Sequence, residues 1–207
     1  MSKIVHIIGN GPTSAMTYDP NVPGDKYTCN LPPFPVPGAK ATFMVDFKMM
    51  NAITLGELQV PGEWIVGMRP KKWCESRPNF YLKFARQIKE FFLEKPPYVA
   101  NYTDFNCGHM GVYYIAKKLK ADEIHMYGFD SIFDFDLRSC TDFYLGSDRS
   151  TGNNARLTGN WRPVWNEMFK EFKNTKFILY HKHNNIKLNI PDNVEIKVIN
   201  KNTRKIS

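Results

Sequence analysis

The chain has 207 residues, of which 43% are hydrophobic and 14% aromatic, and its formal net charge is +8. That composition excludes an intrinsically disordered chain and allows one domain with a substantial core. No run reaches the roughly 18 apolar residues of a membrane helix, and the apolar stretch before Gly9 is too short for a signal peptide and lacks a cleavage pattern, so a cytoplasmic protein without membrane insertion is expected.

In chain order, residues 3–8 are rich in Ile and Val and end at Gly9-Asn10-Gly11-Pro12, which reads as a buried strand meeting a tight turn. Residues 26–30 read as a second, short strand. Four prolines between positions 32 and 37 then exclude helix and central strand, leaving a stiff loop. Ala41 to Phe47 is a third strand and Glu63 to Met68 a fourth. Phe80, Phe84, Ile88, Phe91 and Phe92 fall at helical spacing and predict a helix over 79–94, stopped by Pro96-Pro97. A strand at 98–102, a polar loop at 103–107, a helix at 108–119 and a strand at 124–127 follow. Residues 131–160 hold many turn formers and read as a lid-like insertion. A helix at 161–172 and strands at 177–180 and 194–199 close the pattern, ahead of a basic tail at 200–207. Alternating strands and helices predict a single α/β domain, a Rossmann-like and mostly parallel sheet with helices on both faces. Its ligands belong beyond the carboxyl ends of the strands.

The polar residues to watch are therefore those that end strands: Asn10, Asn30, Asp46 and Asp130. In Gly9-Asn10-Gly11-Pro12-Thr13-Ser14, two glycines allow a sharp turn, and the following helix start suits a phosphate; the alternative is an ordinary structural turn. No Gly-Lys-Ser/Thr follows, so it is not a Walker loop, and Ser14 stands where a dinucleotide fingerprint has its third glycine. Asn30 can donate to and accept from a base or ribose, or cap its loop. Asn106-Cys107-Gly108-His109 enters a helix, with Asn106 a candidate cap, Gly108 permitting close approach and His109 a candidate base. Gly128-Phe129-Asp130 offers a carboxylate at a strand end. Arg149 can clamp a phosphate in bidentate fashion or pair with Asp148, itself a candidate base. Trp161 and Trp165, four apart, read as core. Cys29, Cys74, Cys107 and Cys140 have no CxxC pairing and read as buried or half-buried thiols. His181 and His183 face one side of a strand, but no third ligand is evident, so no metal is expected.

In their order along the chain, these blocks resemble the bacterial sialyltransferases of the Campylobacter type, a group similar to glycosyltransferase family 42. The resemblance is carried by Gly9 to Ser14, by Cys29-Asn30, by Cys107 to Ala116 followed by Glu123 to Asp130, and by Ser147-Asp148-Arg149-Ser150. It spans about residues 3–180, and the chain is similar as well to proteins carried by tailed phages. The resemblance implies a glycosyltransferase that takes a nucleotide-activated sugar of the CMP-sugar type without a metal or other cofactor. It places Asn10 and Asn30 against the nucleotide and has Gly9, Gly11 and Ser14 shape the phosphate-side turn. This chain departs from the family where the lid should carry a histidine: Thr151 to Arg156 contain none. The acceptor stays open, with modified bases of phage DNA suited to the +8 charge, as does a homo-oligomer. Two other functions remain open, a nucleotide-binding module without catalysis and a nucleic-acid-binding α/β protein.

Overall fold

The computed structural model describes residues 1–200, so the basic tail falls outside the described residues from position 201 on. Eight strands form one sheet: β1 (Ile4–Ile8), β2 (Asp25–Cys29), β3 (Ala41–Met44), β4 (Trp64–Val66), β5 (Ile88–Phe91), β6 (Glu123–Tyr127), β7 (Lys176–His181) and β8 (Val194–Val198). Their order is β5-β4-β3-β2-β1-β6-β7-β8, and every neighbouring pair is parallel. The chain starts in the middle, winds outward to β5, crosses back to lay β6 on the other side of β1, and continues to β8. The order thus reverses between β1 and β6, which opens a crevice at the carboxyl ends of those two strands.

Parallel strands require crossovers, and these supply the layers. The helices are α1 (Ser14–Thr17), α2 (Phe47–Thr54), α3 (Met68–Ser76), α4 (Pro78–Phe84), α5 (Cys107–Lys117), α6 (Asp142–Leu145) and α7 (Thr151–Glu171). On one face, Val5, Ile7, Phe43, Ile124, Met126, Phe177 and Leu179 pack against α5 and the C-terminal half of α7. Helix α5 lies close to the sheet because Gly111 carries no side chain: a Cβ there would sit 2.6 Å from Ile7 Cδ1 and 2.7 Å from Phe43 Cδ2. On the other face, Met44, Trp64 and Val66 pack against α2, α3 and α4. Toward β1 and β6 that face is covered by Tyr18, Val22, Phe34 and Val36, so the proline-rich loop serves as a lid on the core rather than as an element of the sheet.

Several expected elements differ. The helix over 79–94 is two elements, α4 ending at Phe84 and strand β5 from Ile88. Phe84, Ile88 and Phe91 do join one apolar cluster, as the spacing implied, but pairing with β4 gives Ile88–Phe91 ladder hydrogen bonds that a helix would forgo. No strand forms at 98–102, where Val99 is buried within a turn and a short 3-10 helix spans Tyr102–Asp104. Residues 131–160 are far from structureless: α6 lies there and α7 begins at Thr151, ten residues before the expected start. Gly152, Gly159 and the internal Pro163 hid that helix, since each lowers helix propensity. Helices α2 and α3 were not expected at all.

Candidate functional site

The crevice at the sheet's switch point widens into a cleft of about 360 Å³. Its walls are the turns after β1, β2, β3 and β6, the N-terminus of α5, and residues between Leu137 and Trp165 of α7. Among the sequence candidates it gathers Gly9, Asn10, Gly11, Asn30, Asp46, Asn106, Gly108, Gly128, Asp130, Asp148 and Arg149, although these come from six separate stretches of chain. Pro12, Thr13, Ser14 and His109 do not line it.

The turn after β1 is tied to the end of β6. Gly9 N–H donates to the Tyr127 carbonyl (2.7 Å) and Gly11 N–H to that of Gly128 (2.9 Å), while Ser14 N–H turns back to the Gly11 carbonyl (3.1 Å). Thr13 N–H (3.4 Å) and Thr13 Oγ1 both donate to the Asp130 carboxylate. The amides of Gly9, Gly11, Thr13 and Ser14 are therefore used inside the protein, a carboxylate occupies the helix start, and α1 is only four residues long. Those four amides are not available to a phosphate, although Gly9, Asn10 and Gly11 themselves line the cleft. The glycines serve close packing instead: a Cβ on Gly11 would lie 2.5 Å from Asp130 Cγ and 2.6 Å from the Gly128 carbonyl oxygen, and Gly128 itself has φ 72°.

Two amides at the strand ends are left unsatisfied. Asn10 Oδ1 and Asn30 Oδ1 are buried and accept no hydrogen bond. Asn10 uses its Nδ2 toward Cys107 Sγ (3.8 Å), and Asn30 is held in the left-handed region, φ 49°, with its backbone N–H on the Phe43 carbonyl (2.9 Å). A buried acceptor without a donor costs about 1–3 kcal/mol. Both oxygens belong to residues lining the cleft, where a ligand's hydroxyl or amino group can satisfy them. Nearby, the Cys29 thiol contacts Cys107, and that contact together with burial pushes its pKa well above the ordinary thiol value. Cys74 is buried and Cys107 half-buried as expected; Cys140 is exposed.

At the mouth of α5 the sequence reading is half upheld. Asn106 is the N-cap, accepting from His109 N–H at 2.8 Å. His109 is not a base for an acceptor: its ring is fully buried, Nδ1 accepts from Asn106 N–H (3.1 Å), and Nε2 meets the Trp161 carbonyl (3.2 Å). Burial pushes its pKa down to about 3, so it is neutral at physiological pH.

The two carboxylate candidates differ in setting. Asp130 is 7% exposed and forms part of the cleft wall; burial raises its pKa, against the pull of the Thr13 hydrogen bonds. Asp148 is exposed at the rim and accepts from Ser150 N–H (2.9 Å), which lowers its pKa. Arg149 does not pair with Asp148. Its Nε and Nη2 donate to the two oxygens of Asp142 (3.0 and 2.7 Å), which presents the guanidinium to the cleft. Sequence reasoning missed three further cations of the wall, Lys48, Arg69 (3.0 Å from Asp46) and Arg138. It also missed the stripe Asn153, Leu157, Trp161, Trp165, four residues apart on α7, which forms one side of the cleft. The four-residue spacing was present in the sequence as a signal. Trp165 is core, as expected, yet also faces the cleft, with its indole N–H unpaired.

His181 and His183 do share one side of β7's end, and the fold supplies a third group that the sequence did not reveal: Asp134, 2.9 Å from His181 Nε2 and 2.7 Å from His183 Nε2.

The fold and cleft define a doubly wound, fully parallel α/β domain with a ligand cleft at its switch point. No family model matches the chain, and no curated protein sequence does. Among solved structures it is similar to the sialyltransferase CST-II in complex with a trisaccharide acceptor and CMP, at 16% identity and a TM-score of 0.45 over 86% of this chain and 80% of that one. It is similar also to CstII from Campylobacter jejuni in complex with the substrate analogue CMP-3FNeuAc (17%, TM-score 0.41, 86% and 81% covered) and with cytidine-5'-monophosphate (16%, 0.43, 86% and 79%). Similarity at this level assigns neither activity nor site residues to this chain. Among the described residues no helix is long and apolar enough to cross a membrane.

Proposed function

We propose that the chain is a glycosyltransferase that takes a nucleotide-activated sugar in the cleft between β1 and β6 and needs no metal on the donor. The observation that carries this reading is the pair of buried, unpartnered oxygens on Asn10 and Asn30, at neighbouring strand ends inside one cleft. They ask for donors such as ribose hydroxyls or an exocyclic amine, and satisfying both recovers the penalty of leaving them unmade. The donor's phosphate belongs opposite them, with Arg149, Arg69 and Lys48, the cationic side chains of the cleft wall, because four amides of the turn after β1 are already bonded within the protein. Asp130, a carboxylate of the cleft wall, takes the proton of the acceptor hydroxyl, a task that commonly falls to a positioned side chain at this kind of centre. The motif order described above narrows the donor to the CMP-sugar class.

A second reading, a nucleotide-binding module without catalysis, is favoured by one observation: among the described residues no histidine lines the cleft. A thermal-shift panel of CMP, UDP, GDP, ADP and their sugars decides the binding step. A ligand at 100 times its dissociation constant adds about 2.7 kcal/mol, and the shift should vanish in Asn10→Ala and Asn30→Ala. No shift with any nucleotide removes both readings; a shift without release or transfer of the sugar leaves the second. Where the acceptor is DNA, its binding weakens steeply with added salt; a flat response removes DNA as acceptor.

A further inference from the structure

His181 ends β7 with a fully buried ring, stacked on Phe133 at 4.0 Å between centroids. His183 lies two residues on, its side chain 29% exposed. Asp134, from the turn after β6, places one oxygen against each ring, and single ligand atoms of the three residues lie within 4.8 Å of one another. None of the three lines the cleft. The arrangement without an ion has a defect. With the His181 Nε2 proton given to Asp134, the neutral ring turns a bare Nδ1 toward Asp130 Oδ1 at 3.6 Å, and that buried nitrogen has no hydrogen-bond partner.

We propose that Asp134, His181 and His183 bind a divalent transition-metal ion of the Zn²⁺ class, with the fourth position open. Two imidazoles and one carboxylate form a donor set suited to such ions rather than to Mg²⁺ or Ca²⁺, which prefer oxygen alone. Bonds of about 2.1 Å in tetrahedral array set ligand atoms about 3.4 Å apart, so the present spacing needs small adjustments. Coordination through Nε2 moves the His181 ring proton to Nδ1, where it points at Asp130 Oδ1; a ligating histidine held by a carboxylate in this way is the usual outer support of a metal site. The same shift in His183 displaces one exposed contact, the Asn185 N–H on its Nδ1 at 3.1 Å. His183 and Asp134, both partly exposed, give the ion its entry path. The ion would hold the end of β7 to the 130–134 turn directly behind Asp130. The consequence for Asp130 as a base rests on the proposed function, whereas the metal site itself does not.

The test is isothermal titration of the chelator-stripped full chain with Zn²⁺, together with the visible spectrum of the Co²⁺ form. One ion per chain is expected, with tetrahedral Co²⁺ bands and a Zn²⁺-dependent rise in melting temperature. All three should disappear in His183→Ala, whose half-exposed ring is not part of the core, and in Asp134→Asn, and persist in the double variant Cys29→Ser/Cys140→Ser. Absence of stoichiometric binding overturns the proposal, as does binding that survives both site variants or is lost only with the cysteines. Nucleotide-induced shifts measured on the same preparations report separately on the donor site, so failure of one reading is distinguishable from failure of the other.

Discussion

Asn106 and His109 hydrogen-bond to each other twice across the first turn of α5: the Asn106 side chain accepts from His109 N–H, and the His109 ring accepts from Asn106 N–H. Burial keeps this capped imidazole neutral, with its pKa pushed down to about 3. In the unfolded chain the ring titrates near 6.5, so the unfolded state binds the extra proton first as pH falls. The contribution of the neutral ring is thus complete above about pH 6.5 and declines as pH falls from there toward 3. Stability should drop by about 2 kcal/mol between pH 7 and 5 from this group alone, and burial of His6 and His125 shifts their pKa values in the same direction. Urea unfolding at pH 7.5, 6 and 5 measures the slope. His109→Gln, which can still close the cap and does not titrate, should flatten it; an unchanged slope would mean that His109 is not buried neutral.

Two glycines should respond with opposite sign. Gly11→Ala forces a methyl group against the Asp130 carboxylate and the Gly128 carbonyl, an overpacking that costs roughly 1–3 kcal/mol, and it should disturb the cleft as well. At Gly159, inside α7, a Cβ meets nothing within 4 Å, so Gly159→Ala should stabilise by roughly 0.5–1 kcal/mol through helix propensity and reduced freedom of the unfolded chain. Denaturant midpoints of the two variants test the pair of signs.

Arg149 is aimed by Asp142 and, in the proposed function, meets the donor phosphate. Its removal as Arg149→Ala should weaken nucleotide binding roughly 10- to 100-fold, the worth of a hydrogen bond to a charged group. Arg149→Lys should restore only part of this, because an ammonium lacks the planar fork. Titration calorimetry with the nucleotide identified by the thermal-shift panel reads both, and equal affinity in all three proteins would move the phosphate elsewhere in the cleft.

Asp130→Asn keeps the shape of the side chain and one of the two oxygens that accept from Thr13, but removes the base. Turnover should fall roughly 10²- to 10⁴-fold while nucleotide affinity stays within a few-fold of the parent. Asp148→Asn, at the exposed rim, should leave turnover nearly unchanged. A reversed pattern would reassign the base to Asp148.

Much of the fold could be read along the chain. The Ile/Val run of β1 and the largely apolar runs Ile124 to Tyr127 of β6 and Phe177 to Leu179 of β7 are strands because they are buried on both faces, and such strands read as near-continuous apolar stretches. The strand-ending residues Asn10, Asn30, Asp46 and Asp130 do meet in one cleft, since a parallel sheet sends all its carboxyl ends the same way. The misreadings have local causes. The aromatic spacing of 80–92 fits a helix as well as a helix followed by an edge strand, and only pairing with β4 separates them. Helix α7 forms through Gly152, Gly159 and Pro163 because packing of its apolar side outweighs their propensities.

By itself, the amino-acid sequence determined the class of the domain, the alternation of its inner strands and the set of polar residues placed at strand ends, because these depend on periodicity and on the direction of a parallel sheet. Tertiary structure alone decided what those residues do. It turned the Gly9 and Gly11 amides inward onto the end of β6, buried His109 in a cap, aimed Arg149 with Asp142 rather than Asp148, and brought Asp134 to His181 and His183 across 47 and 49 positions of chain. Each of these is a contact between segments far apart along the chain or a choice among neighbouring partners, settled by packing that no local pattern encodes.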